Sequence, residues 1–371
     1  MKSRKTPVWF SLLLAAGLLT GCSQGVKLPD EPAAEQAAVQ IAGTALSETA
    51  VSETGTTAGA NTEETTVQTE PAAESRLTFQ PKVCSQYMKE VFGETMCQAW
   101  SSLVDAMMEG KDSFACPDQD TCDWVIGQFP YRCFPVVDSL IATSPDTPVS
   151  DGVGHFSYTV PQEEFQAKVR AFAETVEGIL NETVKDTDTD FEKALALYQY
   201  FANHYRYDNE LYKALYSPDL EQRETSACHV FYEKSGICCE LSTAYSYLLM
   251  QTGVDATVMS GEDHQWSYVR INGKNYHIDP TFALDSGSSL AYFMMNDERR
   301  ADTGYPKEDY IITSCYTQFH DTPEYTADDD TFSELWDADC DAIDHAHKSL
   351  TLRCFDGDET PKTVQFSYQG Y

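Results

Sequence analysis

Three side chains between Gly236 and Thr281 have the types and the order for covalent chemistry: Cys238 behind Gly236-Ile237, His264 ahead of Gln265-Trp266, and Asp279 ahead of Pro280-Thr281. A thiol, an imidazole and a carboxylate are the parts of acyl transfer through a thioester. The thiol attacks a carbonyl, the imidazole carries its proton to the leaving group, and the carboxylate orients the imidazole. No two of them are neighbours in the chain, so separate elements must bring them together.

The spacing predicts a helix from Cys238 to about Thr252, with Leu241, Tyr245, Leu248 and Leu249 on one face and Gly253 as its stop. A cysteine in the first turn sits at the positive end of the helix, where thiolate is favoured and its own amide is a natural oxyanion donor. Residues 256 to 260 read as a strand, and two more follow, joined by Asn272-Gly273 in a type I′ turn. Pairing Ile271 with Lys274 sets Trp266 opposite Asp279 and His264 opposite Thr281. His264, Trp266 and Asp279 then share a face, with histidine and aspartate as diagonal neighbours. Packing the first helical turn on that face would complete the set, with Trp266 as a wall of the substrate site. Cys239 projects about 100° around the helix from Cys238, so the two thiols cannot both face His264.

His277 lies on the same face, opposite Tyr268. With His264 and Asp279 it imitates a two-histidine, one-carboxylate metal set. That reading leaves Cys238 without a role, so neither a metal nor another cofactor is expected. Asp186, Asp188 and Asp190 alternate as in a calcium loop, but Phe191 stands where the loop needs glycine and Leu197 where it needs a bidentate glutamate. Thr189 with Glu192 reads instead as a capping box, opening a helix striped by Phe191, Leu195, Tyr198, Ala202 and Tyr205. An earlier helix begins near Pro161 and carries Phe165, Val169, Phe172, Val176 and Ile179. Residues 76 to 148 hold five cysteines and no chemical motif.

At the N-terminus, Lys2, Arg4 and Lys5 precede an apolar run from Val8 to Leu19 that ends in Leu19-Thr20-Gly21-Cys22. The run is too short to span a bilayer and reads as a signal peptide over 1–21 with a lipobox, leaving Cys22 to carry lipid. Residues 22–75 form an acidic stretch without aromatics, predicted to be a disordered tether. The expected divisions beyond it are a partly helical region at 76–185, a catalytic core at 186–290 and a C-terminal extension at 291–371. A net charge of −34 argues against nucleic acid as a partner. Of twelve cysteines, Cys22 and Cys238 have assigned roles; the other ten could form up to five disulfides outside the cytoplasm. The Cys116 and Cys122 spacing does not fit a zinc site.

The run Gly236-Ile237-Cys238-Cys239-Glu240-Leu241-Ser242, followed by His264-Gln265-Trp266-Ser267 and by Tyr276-His277-Ile278-Asp279-Pro280-Thr281-Phe282, resembles the three ordered motifs of the transglutaminase-like superfamily. Tyr205-Arg206-Tyr207-Asp208 and Ala227 to Lys234 resemble the approach to its cysteine, so the likeness runs from about Phe191 to Phe282. Cys22 and its leader resemble those of a bacterial lipoprotein. The first resemblance implies an α+β, papain-like core whose catalytic helix packs on an antiparallel sheet, and a Cys238, His264, Asp279 triad. Cys239, directly after the expected nucleophile, departs from the pattern. Such members include cross-linkers, deamidases, peptidases and inactive proteins. The expectation is a lipid-anchored enzyme on the outer face of the cell membrane, hydrolysing peptide or amide bonds in protein, peptide or cell-wall peptide substrates. Glutamine cross-linking or deamidation, and a silent binding module, are the alternatives.

Overall fold

A computed structural model describes residues 76–217, 224–261, 263–307, 310–312, 325–355 and 360–371. The leader, Cys22, the tether and Cys315 lie outside the described residues. The N-terminal part runs α1 (Gln86–Phe92), α2 (Glu94–Met108), β1 (Ser113–Ala115), α3 (Gln119–Gly127), α4 (Phe129–Cys133), β2 (Ile141–Thr143) and β3 (Val153–Tyr158). Strand β3 lies between β1 and β2 in an antiparallel sheet. Next comes α5 (Gln162–Thr183), which buries Phe165, Val169, Phe172, Val176 and Ile179, the stripe its spacing predicts.

Helix α6 (Asp190–His204) opens on the capping box. The Thr189 amide donates to Glu192 Oε2 at 2.8 Å, and the Glu192 amide donates to Thr189 Oγ1 at 3.3 Å. Glu192 is itself buried and also accepts from His345, Lys348 and Tyr368, tying the C-terminal sheet to this helix. Burial alone would raise its pKa; those donors and the Thr189 amide outweigh it and hold the carboxyl at about 2. Asp188, Glu192 and His345 converge closely enough to suggest a cation, yet the Lys348 ammonium already sits on Glu192.

The chain continues through β4 (Arg206–Tyr207), α7 (Asn209–Tyr216), α8 (Ala227–Glu233), β5 (Ser235–Gly236) and α9 (Cys238–Gln251). Then come β6 (Asp255–Ser260), β7 (Gln265–Ile271), β8 (Lys274–Ile278), α10 (Asp297–Asp302) and β9 (Ile311–Ile312). These four strands form an antiparallel sheet in the order β8, β7, β6, β9. Asn272 and Gly273 both take positive φ, 51° and 74°, as a type I′ turn requires, and Ile271 pairs with Lys274. A last antiparallel sheet holds β10 (Ala338–Asp344), β11 (Ser349–Cys354) and β12 (Lys362–Ser367).

The architecture is therefore α+β, with the helix that starts at Cys238 packed on an antiparallel sheet. One apolar core runs from Val83 through α5, α6 and α9 to Tyr368, so the segments on either side of 186–290 share its interior. The ten described cysteines are not joined by disulfides; Cys84 Sγ lies 3.4 Å from Cys97 Sγ.

Candidate active site

Cys238 owes its position to a glycine and a glutamate. Parallel pairing of β4 with β5 delivers the chain to Gly236, where a Cβ would stand 2.8 Å from Val230 Cγ2 and 3.1 Å from Glu240 Oε2. Only glycine fits that approach without displacing its neighbours. Ile237 occupies the N-cap of α9 and has no side-chain acceptor. Glu240, fully buried at the third helical position, supplies it: Oε2 accepts the Ile237 amide at 3.1 Å and Oε1 the Ser226 amide at 2.7 Å. One carboxylate thus fixes both the start of α9 and the segment entering α8.

Small hydroxyls align α9 on the sheet. Ser267 Oγ donates to the Ser242 carbonyl at 3.0 Å, and Ser246 Oγ lies 2.9 Å from Ser267 Oγ and 3.0 Å from the Thr257 carbonyl. Short side chains at a helix-sheet contact let the backbones approach closely. Strand alternation puts Ser267 on the face opposite Trp266, so α9 covers the side away from Trp266 and His277, not the face that strand parity suggests. Cys238 lies one turn before Ser242, about 6 Å further along the axis, toward the end of the sheet where β7 begins. His264 stands there, one residue ahead of β7.

The structure brings His264 and Asp279 into direct contact, with Nε2 to Oδ2 at 2.7 Å. Asp279 is fully buried beyond the end of β8. Its Oδ1 accepts the amides of Thr281 at 3.0 Å and Phe282 at 3.1 Å, and its Oδ2 also accepts Arg300 Nη1 at 2.9 Å. Burial pushes this carboxyl up, but the charges of His264 and Arg300 and the Phe282 amide prevail and hold it at about 2. An ionised carboxylate only accepts, which assigns the imidazole proton to Nε2 and leaves Nδ1 as the basic nitrogen. The ring stacks on Phe282 at 4.6 Å with 11° between planes, and Tyr305 lies against it at 5.2 Å. Burial, then the charges of Asp263, Asp279 and Cys238, raise the Tyr305 hydroxyl pKa, with Arg300 acting in the opposite direction; Tyr305 is thus within electrostatic reach of Cys238 as well as Asp279.

Trp266 is fully buried and lies behind the histidine. Its Nε1 donates to His277 Nδ1 at 2.8 Å, and the Arg300 guanidinium stacks 4.0 Å from its ring. It is therefore a support, not the substrate-facing wall that its motif suggests. His277 has both nitrogens engaged: Nδ1 accepts from Trp266 and Nε2 donates to Asp297 Oδ1 at 2.9 Å. It is turned away from the His264 and Asp279 pair, and among the described residues these three do not converge as metal ligands.

Burial lowers the His277 pKa to about 4, so the ring is neutral at pH 7. The unfolded chain takes up this proton near 6.5 and the folded chain only near 4. Folding stability should fall as pH drops through that interval, by roughly 3 kcal/mol from this group. Urea unfolding at several pH values checks this: His277→Gln should flatten the slope between pH 6.5 and 4, and an unchanged slope would contradict the assignment.

Residues 177–289 match the family model of the transglutaminase-like superfamily. This segment is a transglutaminase-like domain. It takes in the start of α9, the β7–β8 hairpin and Asp279, and stops short of Arg300 and Tyr305. A crystal structure described as that of a TGase is 22% identical, over 33% of this chain and 34% of that chain, at a TM-score of 0.25. The matched segment thus spans about a third of that chain's length, a likeness too slight to carry any inference. No curated protein matches the chain.

Arg300, Glu240, Phe282 and Tyr305 were not singled out from sequence. Glu240 had a local signal, an acidic residue at the third position of a helix whose N-cap cannot accept a hydrogen bond. Arg300 had none, because α10 reaches Asp279 only through the fold.

Proposed function

We propose that this transglutaminase-like domain is a thiol hydrolase of peptide or amide bonds, with Cys238 as nucleophile, His264 as base and acid, and Asp279 as its orienting carboxylate. The observation that carries the reading is the 2.7 Å contact between His264 Nε2 and the ionised, fully buried Asp279. It fixes the tautomer a thiol needs, with Nδ1 available as base.

In the proposed cycle Nδ1 takes the Cys238 proton and Sγ adds to the substrate carbonyl carbon. The first-turn amide of Cys238 is the proposed donor to the resulting oxyanion. Collapse breaks the C–N bond as the imidazolium gives its proton to the departing amine, leaving a thioester. Water, deprotonated by His264, then adds to the thioester; the acid departs and the thiol regains its proton.

An amine in place of water would give cross-linking, and thioester formation on a glutamine side chain followed by water would give deamidation. The alternative from another class is a binding module that keeps the fold without turnover. Cys22 is the proposed lipid attachment point, placing the domain on the outer face of the membrane within reach of wall or surface peptides.

The acceptor is tested on the full chain, extracted with detergent, using a peptide library in ¹⁸O-water with and without a primary amine probe. Hydrolysis predicts ¹⁸O in new C-terminal carboxylates, lost in Cys238→Ala. Amine incorporation without cleavage overturns it in favour of cross-linking, and ¹⁸O exchange into glutamine side chains favours deamidation. The intact mass of the same sample shows whether Cys22 carries diacylglycerol.

A further inference from the structure

Arg300 is fully buried, and its guanidinium lies 4.0 Å from the centre of the Trp266 ring and 4.5 Å from that of Tyr305. Nη1 donates to Asp279 Oδ2, the same oxygen that holds His264, while Nε and Nη2 have no hydrogen-bond acceptor among the described residues. Burying a guanidinium with two unmatched N–H groups is costly. Asp279 does not need it for anchorage, since the Thr281 and Phe282 amides and His264 already bind both carboxylate oxygens. A neutral donor would serve packing at less cost, so the fixed charge itself is the distinctive feature.

We propose that Arg300 is a positioning residue of this site, whose charge holds Asp279 as an anion and loosens the hold of His264 on its proton. This inference deepens the proposed function and rests on the same pair. A cation on the Asp279 oxygen shared with His264 offsets part of the stabilisation that Asp279 gives to imidazolium. His264 then surrenders its proton to a leaving amine more readily. Among the described residues, Tyr198 from α6 and Tyr305 after α10 interact electrostatically with Asp279, and Cys238 from α9 and Asp263 before β7 act on Tyr305. None of them is a permanent cation.

The test follows the His264 imidazole by histidine-selective ¹⁵N NMR against pH in the full chain carrying Cys238→Ala, with His264→Asn assigning the signal. Removing the nucleophile makes the readout independent of turnover, so failure of the thiol-enzyme reading would not disturb it. Arg300→Gln should tighten proton binding at His264 about tenfold, or about one pH unit, while Arg300→Lys should leave it within about twofold. If Arg300→Gln does not fold, the pair Arg300→Gln/Asp279→Asn leaves no orphan charge, and the same rise is expected relative to Asp279→Asn alone. A role in packing alone would lower the melting temperature and leave the midpoint in place. Midpoints agreeing within about twofold across the folded variants would overturn the proposal.

Discussion

Asp279→Asn should slow modification of Cys238 by a neutral electrophile such as iodoacetamide by roughly 10²-fold at pH 7, while the chain stays folded. The size follows from what positioned proton transfer contributes, about 10²- to 10⁴-fold. An asparagine offers His264 Nε2 either a carbonyl or an amide nitrogen. His264 Nε2 and Arg300 Nη1 both bind Oδ2, so an asparagine carbonyl facing these two donors still accepts from them but no longer carries a negative charge. Without that charge the imidazolium formed when Nδ1 takes the thiol proton is less stabilised, so proton transfer from Cys238 slows. The same change leaves Arg300 buried against a neutral group, so a lowered melting temperature is expected alongside. Adduct rates measured by intact mass, with circular dichroism as the fold control, decide it; a rate within twofold of wild type would show that the carboxylate has no part in activating Cys238.

The second large effect concerns stability. Glu240→Ala removes the acceptor of both the Ile237 and Ser226 amides, and no neighbouring side chain at the N-cap can replace it. Loss of a helix cap costs about 1 kcal/mol, a buried Ile237 amide left without a partner costs about 1 to 3 kcal/mol, and the half-buried Ser226 amide adds less. A loss of roughly 2 to 5 kcal/mol is expected in urea unfolding, with Glu240→Gln milder because its carbonyl keeps one of the two bonds. A change below about 0.5 kcal/mol would mean that water or another group satisfies those amides.

The pairing of His264 with Asp279 was legible because it rests on two local rules, a two-residue turn that fixes register and a side-chain period of two. The Asn272-Gly273 turn and the Ile271 to Lys274 pair follow from them directly. Helix α9 lies on the opposite face of the sheet from the one that strand parity assigns to His264, Trp266 and Asp279. Trp266 and Tyr268 mark a buried face, but Arg300 of α10 and Tyr305 cover Trp266 there and Tyr87 and Tyr325 cover Tyr268, while the helix lies on the face marked by small hydroxyls at Ser242, Ser246 and Ser267. Close helix-sheet contact selects small residues, and a serine looks like surface when read alone. Tertiary placement hid Arg300 altogether: its six-residue helix carries no chemical pattern, and its role appears only once Asn296 caps that helix and Asp297 holds His277. The Phe293-Met294-Met295 run beside it is fully buried and packs inward.

The central claim is that Cys238 is an activated thiol whose reactivity depends on His264. Its most direct test is the adduct map of the full chain after brief exposure to iodoacetamide, compared among wild type, His264→Ala and the urea-unfolded chain. Preferential labelling at Cys238, faster than in the unfolded chain despite burial and lost in His264→Ala, is the predicted result. Labelling of Cys238 no faster than in the unfolded chain and indifferent to His264 would contradict it.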